Sequence, residues 1–338
     1  MEKTKLPEPI SGGLMLSYRC TAACRHCMYA CSPKWKGWIS EEDLKTILTL
    51  LAAKIRPSPY GDRMVSLNYG LHFTGGEPFL NFELLLKAVD MAQALKIPST
   101  FVETNCYWCF NDKITREKLH MLKGKGLHGI LISVNPFYLE YVPFERTERC
   151  ISIAQEVFAE NVMVYQLEHY FQFQKLGIKG TLSLEDYLKS GRDLARNVEL
   201  FLMGRAAYSL QHLYPKYPPD YFWDEPCQPA FLRNWHNHFD NYGNYMPGYC
   251  GGISLAHWRN LNQILEEGIN LTKYPILGFL INQDFRGLFR FAQDFGYSEA
   301  KEGYLSKCHL CVDMRKHLLT KQEFEELRPK EFYFYLEK

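Results

Sequence analysis

Cys20-Thr21-Ala22-Ala23-Cys24-Arg25-His26-Cys27 follows directly on a short apolar run, Gly13-Leu14-Met15-Leu16-Ser17-Tyr18. The run reads as a strand and the cysteines as the loop that leaves it. Three thiolates on one tight loop make a poor structural zinc site, because a closed zinc centre wants four ligands. They suit an iron–sulfur cluster of four irons, in which three irons are held by protein and one stays open for chemistry.

Working outward from that loop, strand and helix signals alternate as far as about residue 205. Strands are expected at Leu14–Tyr18, Gly70–Phe73, Thr100–Glu103, Ile130–Val134, Val162–Leu167 and Val198–Met203, each short, apolar and rich in β-formers. Ser40-Glu41-Glu42-Asp43 has the form of a capping box opening a helix through Leu51. Asn81–Leu95, Thr115–Leu122 and Arg146–Phe158 carry further helical spacing. Six such units predict an α/β fold, a partial (β/α)6 TIM-like barrel. Its strand ends would supply a site from Arg19 onward, Thr74, Asn105, Asn135, His169 and Gly204.

After residue 205 the texture changes to a stretch crowded with Tyr, Trp, His and Pro. His238–Tyr245 reads as a hairpin turning at Asn241-Tyr242-Gly243-Asn244. The expected organisation is a barrel over 1–205 and a small C-terminal domain over 206–338. That second region carries Cys227, Cys250 and the pair Cys308-x-x-Cys311, a set that suits either tetrahedral zinc or a fully ligated 4Fe–4S cluster.

Bulk properties exclude several classes. The chain has 338 residues, 46% hydrophobic, and a net charge of +1, which advertises no broad attraction to nucleic acid. The N-terminus shows no signal-peptide pattern and no apolar run reaches membrane-spanning length, so a soluble, cytoplasmic protein without membrane association is expected. Eleven cysteines in that setting point to metal ligation or redox chemistry rather than disulfides.

The three-cysteine loop, with His26 just before its last cysteine, resembles the signature of the radical S-adenosylmethionine (SAM) superfamily. Thr74-Gly75-Gly76-Glu77-Pro78, at the end of the second expected strand, resembles that family's Gly-Gly-Glu-Pro stretch. The resemblance implies that Cys20, Cys24 and Cys27 hold a 4Fe–4S cluster whose open iron chelates SAM. Reductive cleavage of SAM then yields a 5′-deoxyadenosyl radical. It implies SAM contacts from His26, Thr74, Gly75, Gly76 and Glu77, the last toward the ammonium. Glu103-Thr104-Asn105 and Ser133-Val134-Asn135 resemble places where the family sets polar groups on ribose and carboxylate, with Glu103, Asn105 and Ser133 the assigned residues. Phe201-Leu202-Met203-Gly204-Arg205-Ala206 resembles the ending beside the adenine, which assigns Met203.

The order of the C-terminal cysteines resembles the twitch or SPASM-like auxiliary extension of certain members, implying a second, auxiliary 4Fe–4S cluster on Cys227, Cys250, Cys308 and Cys311. A reductant such as flavodoxin or ferredoxin is implied with it. Local likeness to peptide epimerases lies in Cys31-Ser32-Pro33, in Thr104-Asn105-x-Tyr107-Trp108 and in Gly251-Gly252-Ile253-Ser254-Leu255. The substrate expected is therefore a peptide or protein, with Cys106 as a candidate hydrogen-atom donor. The alternatives are a small-molecule dehydrogenase of the same superfamily, acting on a sugar-like alcohol, and a non-catalytic zinc-binding scaffold. Cys150 reads as a buried small apolar residue. Arg315-Lys316-His317 reads as a helix end.

Overall fold

A computed structural model describes residues 3–189 and 200–337. The chain is a mixed α/β protein that divides into two compact units. One comprises Ile10–Cys24 and Cys31–Leu200; the other comprises the N-terminal segment through Pro9, the short piece Arg25–Ala30, and the chain from Phe201 on.

The first unit holds five parallel strands: β1 (Ser11–Ser17), β2 (Gly70–Gly75), β3 (Phe101–Thr104), β4 (Gly129–Ser133) and β5 (Val162–Tyr165). They lie in sequential order, each hydrogen-bonded to its neighbour in the chain. Register is set by Ser11 opposite Gly70, Phe101 opposite Gly129 and Ile130 opposite Val162. All seven residues of β1 are buried, the mark of a parallel strand covered on both faces. Helices connect the strands. Ser40 caps Glu41–Ala52 by accepting from the Asp43 N–H, as its sequence predicts, and Leu44, Ile47, Leu48 and Leu51 form its buried stripe. Asn81 and Asn111 cap Phe82–Ala94 and Asp112–Gly124 in the same way.

The expected sixth strand, Val198–Met203, begins outside the described residues, and its described part, Leu200–Met203, makes no strand pairing. His169 does not end a strand. β5 stops at Tyr165, and His169 lies inside the helix Leu167–Lys175, buried between Phe173 and Tyr187. A short run of β-formers did not reveal where pairing stops, because pairing is decided by the neighbouring strand.

The second unit contains the predicted hairpin, β6 (Asn237–Phe239) and β7 (Asn244–Met246), extended by β8 (Ala256–His257). The Asp240 carboxylate holds the turn by accepting from the N–H groups of Tyr242 and Asn244 at 2.9 and 2.8 Å. Gly243 takes φ = +95° there. The main helix, Lys307–Leu319, is capped by Ser306, whose hydroxyl accepts from the His309 N–H at 3.0 Å. No helix among the described residues is long and apolar enough to cross a membrane.

Candidate functional site

In the parallel-sheet unit the motif residues converge at the ends of β1, β2 and β3. The Gly75-Gly76-Glu77 turn is stitched to the chain leaving β1: Gly76 N–H donates to Ser17 C=O at 2.8 Å and Glu77 N–H to Arg19 C=O at 3.0 Å. This close approach explains the glycines. A Cβ on Gly75 would stand 2.2 Å from the Ser17 oxygen, and one on Gly76 2.0 Å from the Arg19 oxygen.

Glu77 is buried, and its carboxylate is fully engaged. Oε1 accepts from Phe79 N–H at 3.2 Å and Thr104 Oγ1 at 3.0 Å, and Oε2 accepts from Asn105 N–H at 2.8 Å. Burial outweighs these bonds and raises its carboxyl to about 7. The residue expected to face an ammonium thus also binds the β2 turn to the β3 turn. Asn105 completes the link, its Nδ2 donating to Cys20 Sγ at 3.6 Å and to Thr21 Oγ1 at 3.2 Å. Thr74 donates to Glu103 Oε2 at 2.5 Å, and burial also raises Glu103 to about 7. Ser133 closes β4 part-buried, while Asn135 is spent capping the following turn through Phe137 and Tyr138 N–H. Cys20 and Cys24 are buried. Cys31 donates its thiol to Gly75 C=O at 3.6 Å. Cys106 is fully buried, its sulfur within 4.8 Å of those of Cys109 and Cys150.

Cys27 and His26 belong to the segment grouped with the second unit. Arg205, inside the Gly-Arg-Ala stretch, pins that segment: its backbone N–H donates to Cys27 C=O at 3.1 Å and its Nη2 to Ala30 C=O at 2.6 Å. Gly204, at φ = +56°, lies so close that a Cβ would stand 2.4 Å from Met28 C=O. Burial first, then the Arg205 charge, lowers His26 to about 3, so its ring is neutral.

The second unit gathers all four C-terminal cysteines. Cys227, Cys250, Cys308 and Cys311 line one cavity, together with Met203, Lys307 and Arg315. Met203, assigned beside an adenine, therefore lies among these thiols. Arg315-Lys316-His317 lies toward the C-terminal end of the helix Lys307–Leu319, with Lys316 and His317 in its last turn. Arg315 is in addition buried, donating through Nη1 to Gly251 C=O at 3.0 Å and to Tyr333 OH at 2.9 Å. Helical spacing was the available signal, since Cys308, Cys311 and Arg315 recur at intervals of three and four and so share a face. Burial pushes the Cys250 thiol up to about 12 and raises Cys227 and Cys308, with Lys307 opposing the shift at Cys227. Such thiols give up their protons readily only to a cation.

The residues fit the groups implied. A thiol loop with a side-chain amide on its first sulfur, and a separate cavity of four thiols with two cations, suit anionic iron–sulfur clusters.

No family model matches the chain. It is 23% identical over 127 residues to the "Putative peptide biosynthesis protein YydG" of Bacillus subtilis (strain 168), a match covering 38% of this chain and only 36% of that protein. Among solved structures it is similar to BtrN in complex with AdoMet and 2-DOIA, at 14% identity and a TM-score of 0.39, covering 78% of this chain and 89% of that one. It is also similar to anSMEcpe with bound AdoMet and Cp18Cys peptide, at 11% identity and a TM-score of 0.43, covering 92% and 97%. These likenesses are distant, and the weight falls on the motifs and their geometry. The site gathers a Cys20-x-x-x-Cys24-x-x-Cys27 loop leaving β1, a Gly75-Gly76-Glu77 turn stitched to the end of that strand, and Asn105 joining Cys20 to Glu77.

Proposed function

We propose that the chain is a radical SAM enzyme acting on a peptide, with Cys20, Cys24 and Cys27 holding a 4Fe–4S cluster and Cys227, Cys250, Cys308 and Cys311 an auxiliary one. When bound, the first cluster and SAM supply a 5′-deoxyadenosyl radical that takes a hydrogen atom from the substrate. The observation that carries the reading is Asn105, which donates its side chain to Cys20 Sγ and its backbone N–H to Glu77. One residue thereby sets the first thiolate ligand against the turn that receives SAM. The sequential order of the parallel strands supports a partial barrel, whose strand ends collect these groups.

Within that site Gly75 and Gly76 leave backbone accessible to the methionyl end of SAM, while Thr74 and Glu103 form a hydrogen-bonded pair on adjacent strands suited to ribose hydroxyls. Arg205 fixes the far side of the cysteine loop through the Cys27 and Ala30 carbonyls. In the C-terminal unit, Lys307 and the buried Arg315 supply positive charge against four thiolates. The peptide substrate is supported by the 127-residue likeness to the Bacillus peptide biosynthesis protein.

Anaerobic iron–sulfide reconstitution tests the assignment. The wild type is expected to bind about eight irons and a Cys20/Cys24/Cys27 to Ala variant about four. About four falling to none overturns the auxiliary cluster. Deuterium passing from labelled peptide into 5′-deoxyadenosine supports the substrate class. A product that has lost two hydrogens marks a dehydrogenase, and one of unchanged mass an epimerase.

A further inference from the structure

Three cysteines outside both proposed cluster sets meet in the parallel-sheet unit. Cys106 and Cys109 lie on the loop after β3, and Cys150 lies in the helix Phe144–Phe158. Their three sulfurs all lie within 4.8 Å of one another, and all three residues are fully buried.

The loop is shaped to bring them there. Cys106 adopts φ = +65°, a left-handed conformation that costs a residue with a side chain. The conformation is held by its N–H donating to Thr104 Oγ1 at 3.1 Å and by Cys109 N–H donating to Cys106 C=O at 3.1 Å. From the helix, Arg149 donates through Nη1 to Cys109 C=O at 2.8 Å and pairs through Nε with Asp112 at 2.7 Å. The residue beside Cys150 therefore clamps the loop that carries Cys109.

Packing of small apolar side chains accounts for burial, but not for this chemistry. Burial opposes ionisation of Cys109. Hydrogen bonds from Cys106, Cys150 and Thr115, with the Arg149 charge, outweigh it and bring the thiol below its ordinary value. Cys106 and Cys150 are pushed up, so one negative charge sits among three sulfurs. A soft cation binds such a pocket by displacing the remaining thiol protons, and the Arg149 charge offsets part of the negative charge left behind.

We propose that Cys106, Cys109 and Cys150 form a further metal site that takes the thiophilic d10 ion Cu(I) in three-sulfur coordination. A metal–sulfur distance of about 2.3 Å in a trigonal site puts neighbouring sulfurs about 4.0 Å apart, which the present cluster reaches with small side-chain movements. Thiolate donors select Cu(I) over harder ions. Among the described residues the group contains no His, Asp or Glu, so the ion has no further protein ligand of those kinds. Its effect is to tie the loop that carries Asn105 to the helix Phe144–Phe158.

The test uses the anaerobically reconstituted protein, so that the other cysteine sets are occupied. It is titrated with chelator-buffered Cu(I), and bound copper is measured beside iron. One equivalent of copper is expected in the wild type. It should be lost in Cys109→Ser and in Cys150→Ser at unchanged iron content. X-ray absorption at the edge of the bound metal should count three sulfur neighbours in the wild type, a result that needs no variant to fold. No ion beyond iron in the wild type, four sulfurs or a mixed nitrogen–oxygen shell, or retention of the ion by folded variants overturns the proposal. Iron content and SAM cleavage report separately on the radical SAM assignment.

Discussion

The two cysteine sets are embedded in opposite ways. At the strand end that carries Cys20 the bonding groups are short and polar: the Asn105 amide donates to Cys20 Sγ, and the Thr104 hydroxyl and Asn105 N–H donate to the Glu77 carboxylate. Around Cys227, Cys250, Cys308 and Cys311 they are long cations, Lys307 and Arg315. The first arrangement is set by sheet register, which brings residues 17–20, 74–77 and 103–105 together whatever the helices between them are. The second is set by tertiary packing, which folds a loop at Cys250, a short turn at Cys227 and one face of a helix around a single cavity. The strand-end region is therefore sensitive to backbone geometry and hydrogen bonds, and the cavity to charge and burial.

The sharpest break of this contrast comes from ligand removal on each side. Cys20→Ala should abolish formation of 5′-deoxyadenosine, whereas a Cys308→Ala/Cys311→Ala variant should keep SAM cleavage while losing about four irons and turnover of peptide. Chromatographic measurement of 5′-deoxyadenosine beside iron content decides it. Equal loss of SAM cleavage in both variants would show that the two sets are not separable.

Next in size is the backbone. Gly76→Ala forces a Cβ to 2.0 Å from the Arg19 oxygen, whereas Gly124→Ala meets nothing within 4 Å. Gly76→Ala should cost about 2 kcal/mol or more in denaturant melts, and Gly124→Ala should be neutral or stabilising. Equal costs would mean that the turn does not depend on its glycines.

Asn105→Ala removes the amide on Cys20 Sγ. Loss of such an outer partner typically weakens metal retention or activity about 10- to 100-fold. Loss of iron to a chelator measures it, and a rate equal to wild type would remove Asn105 from the argument.

The smallest effect concerns pH. Glu103 is raised from 4.5 to about 7 by burial, against the Thr74 hydrogen bond, so the folded chain holds this proton more tightly than the unfolded one. Its contribution to stability is complete below about pH 4.5 and is lost as pH rises through about 7. Glu103→Gln should flatten that part of the pH profile by a few degrees in melting temperature between pH 5 and pH 8. Parallel profiles for the two proteins would refute the shift.

Much of the first region was legible beforehand. Strands β1 to β4 fall where apolar runs placed them, Ser40 caps its helix, and Asp240 to Asn244 turns the hairpin. The cysteine loop, the Gly-Gly-Glu-Pro turn and the Asn105 loop were each found from residues only a few positions apart. Their bonding was not. That Glu77 is consumed by Thr104 and Asn105, and that Arg205 anchors Cys27, depends on partners far away in sequence. The placing of His169 was misread, and the described part of the expected sixth strand, Leu200–Met203, stays unpaired, because a short apolar run does not reveal whether a neighbour will pair with it. Cys150 reads as core packing and is fully buried, and its sulfur also lies close to those of Cys106 and Cys109.

Short-range spacing alone marked out the candidate ligand loops and tight turns, because these draw on contacts within a few positions and so leave a local pattern. Only the tertiary structure decided which of those residues share a site. It put Met203 and Arg315 in the cavity with four thiols, and it put Cys106 with two other sulfurs under cover. Burial, charge and sulfur–sulfur proximity are properties of the packed chain, set by long-range contacts that leave no mark in a stretch of neighbouring residues.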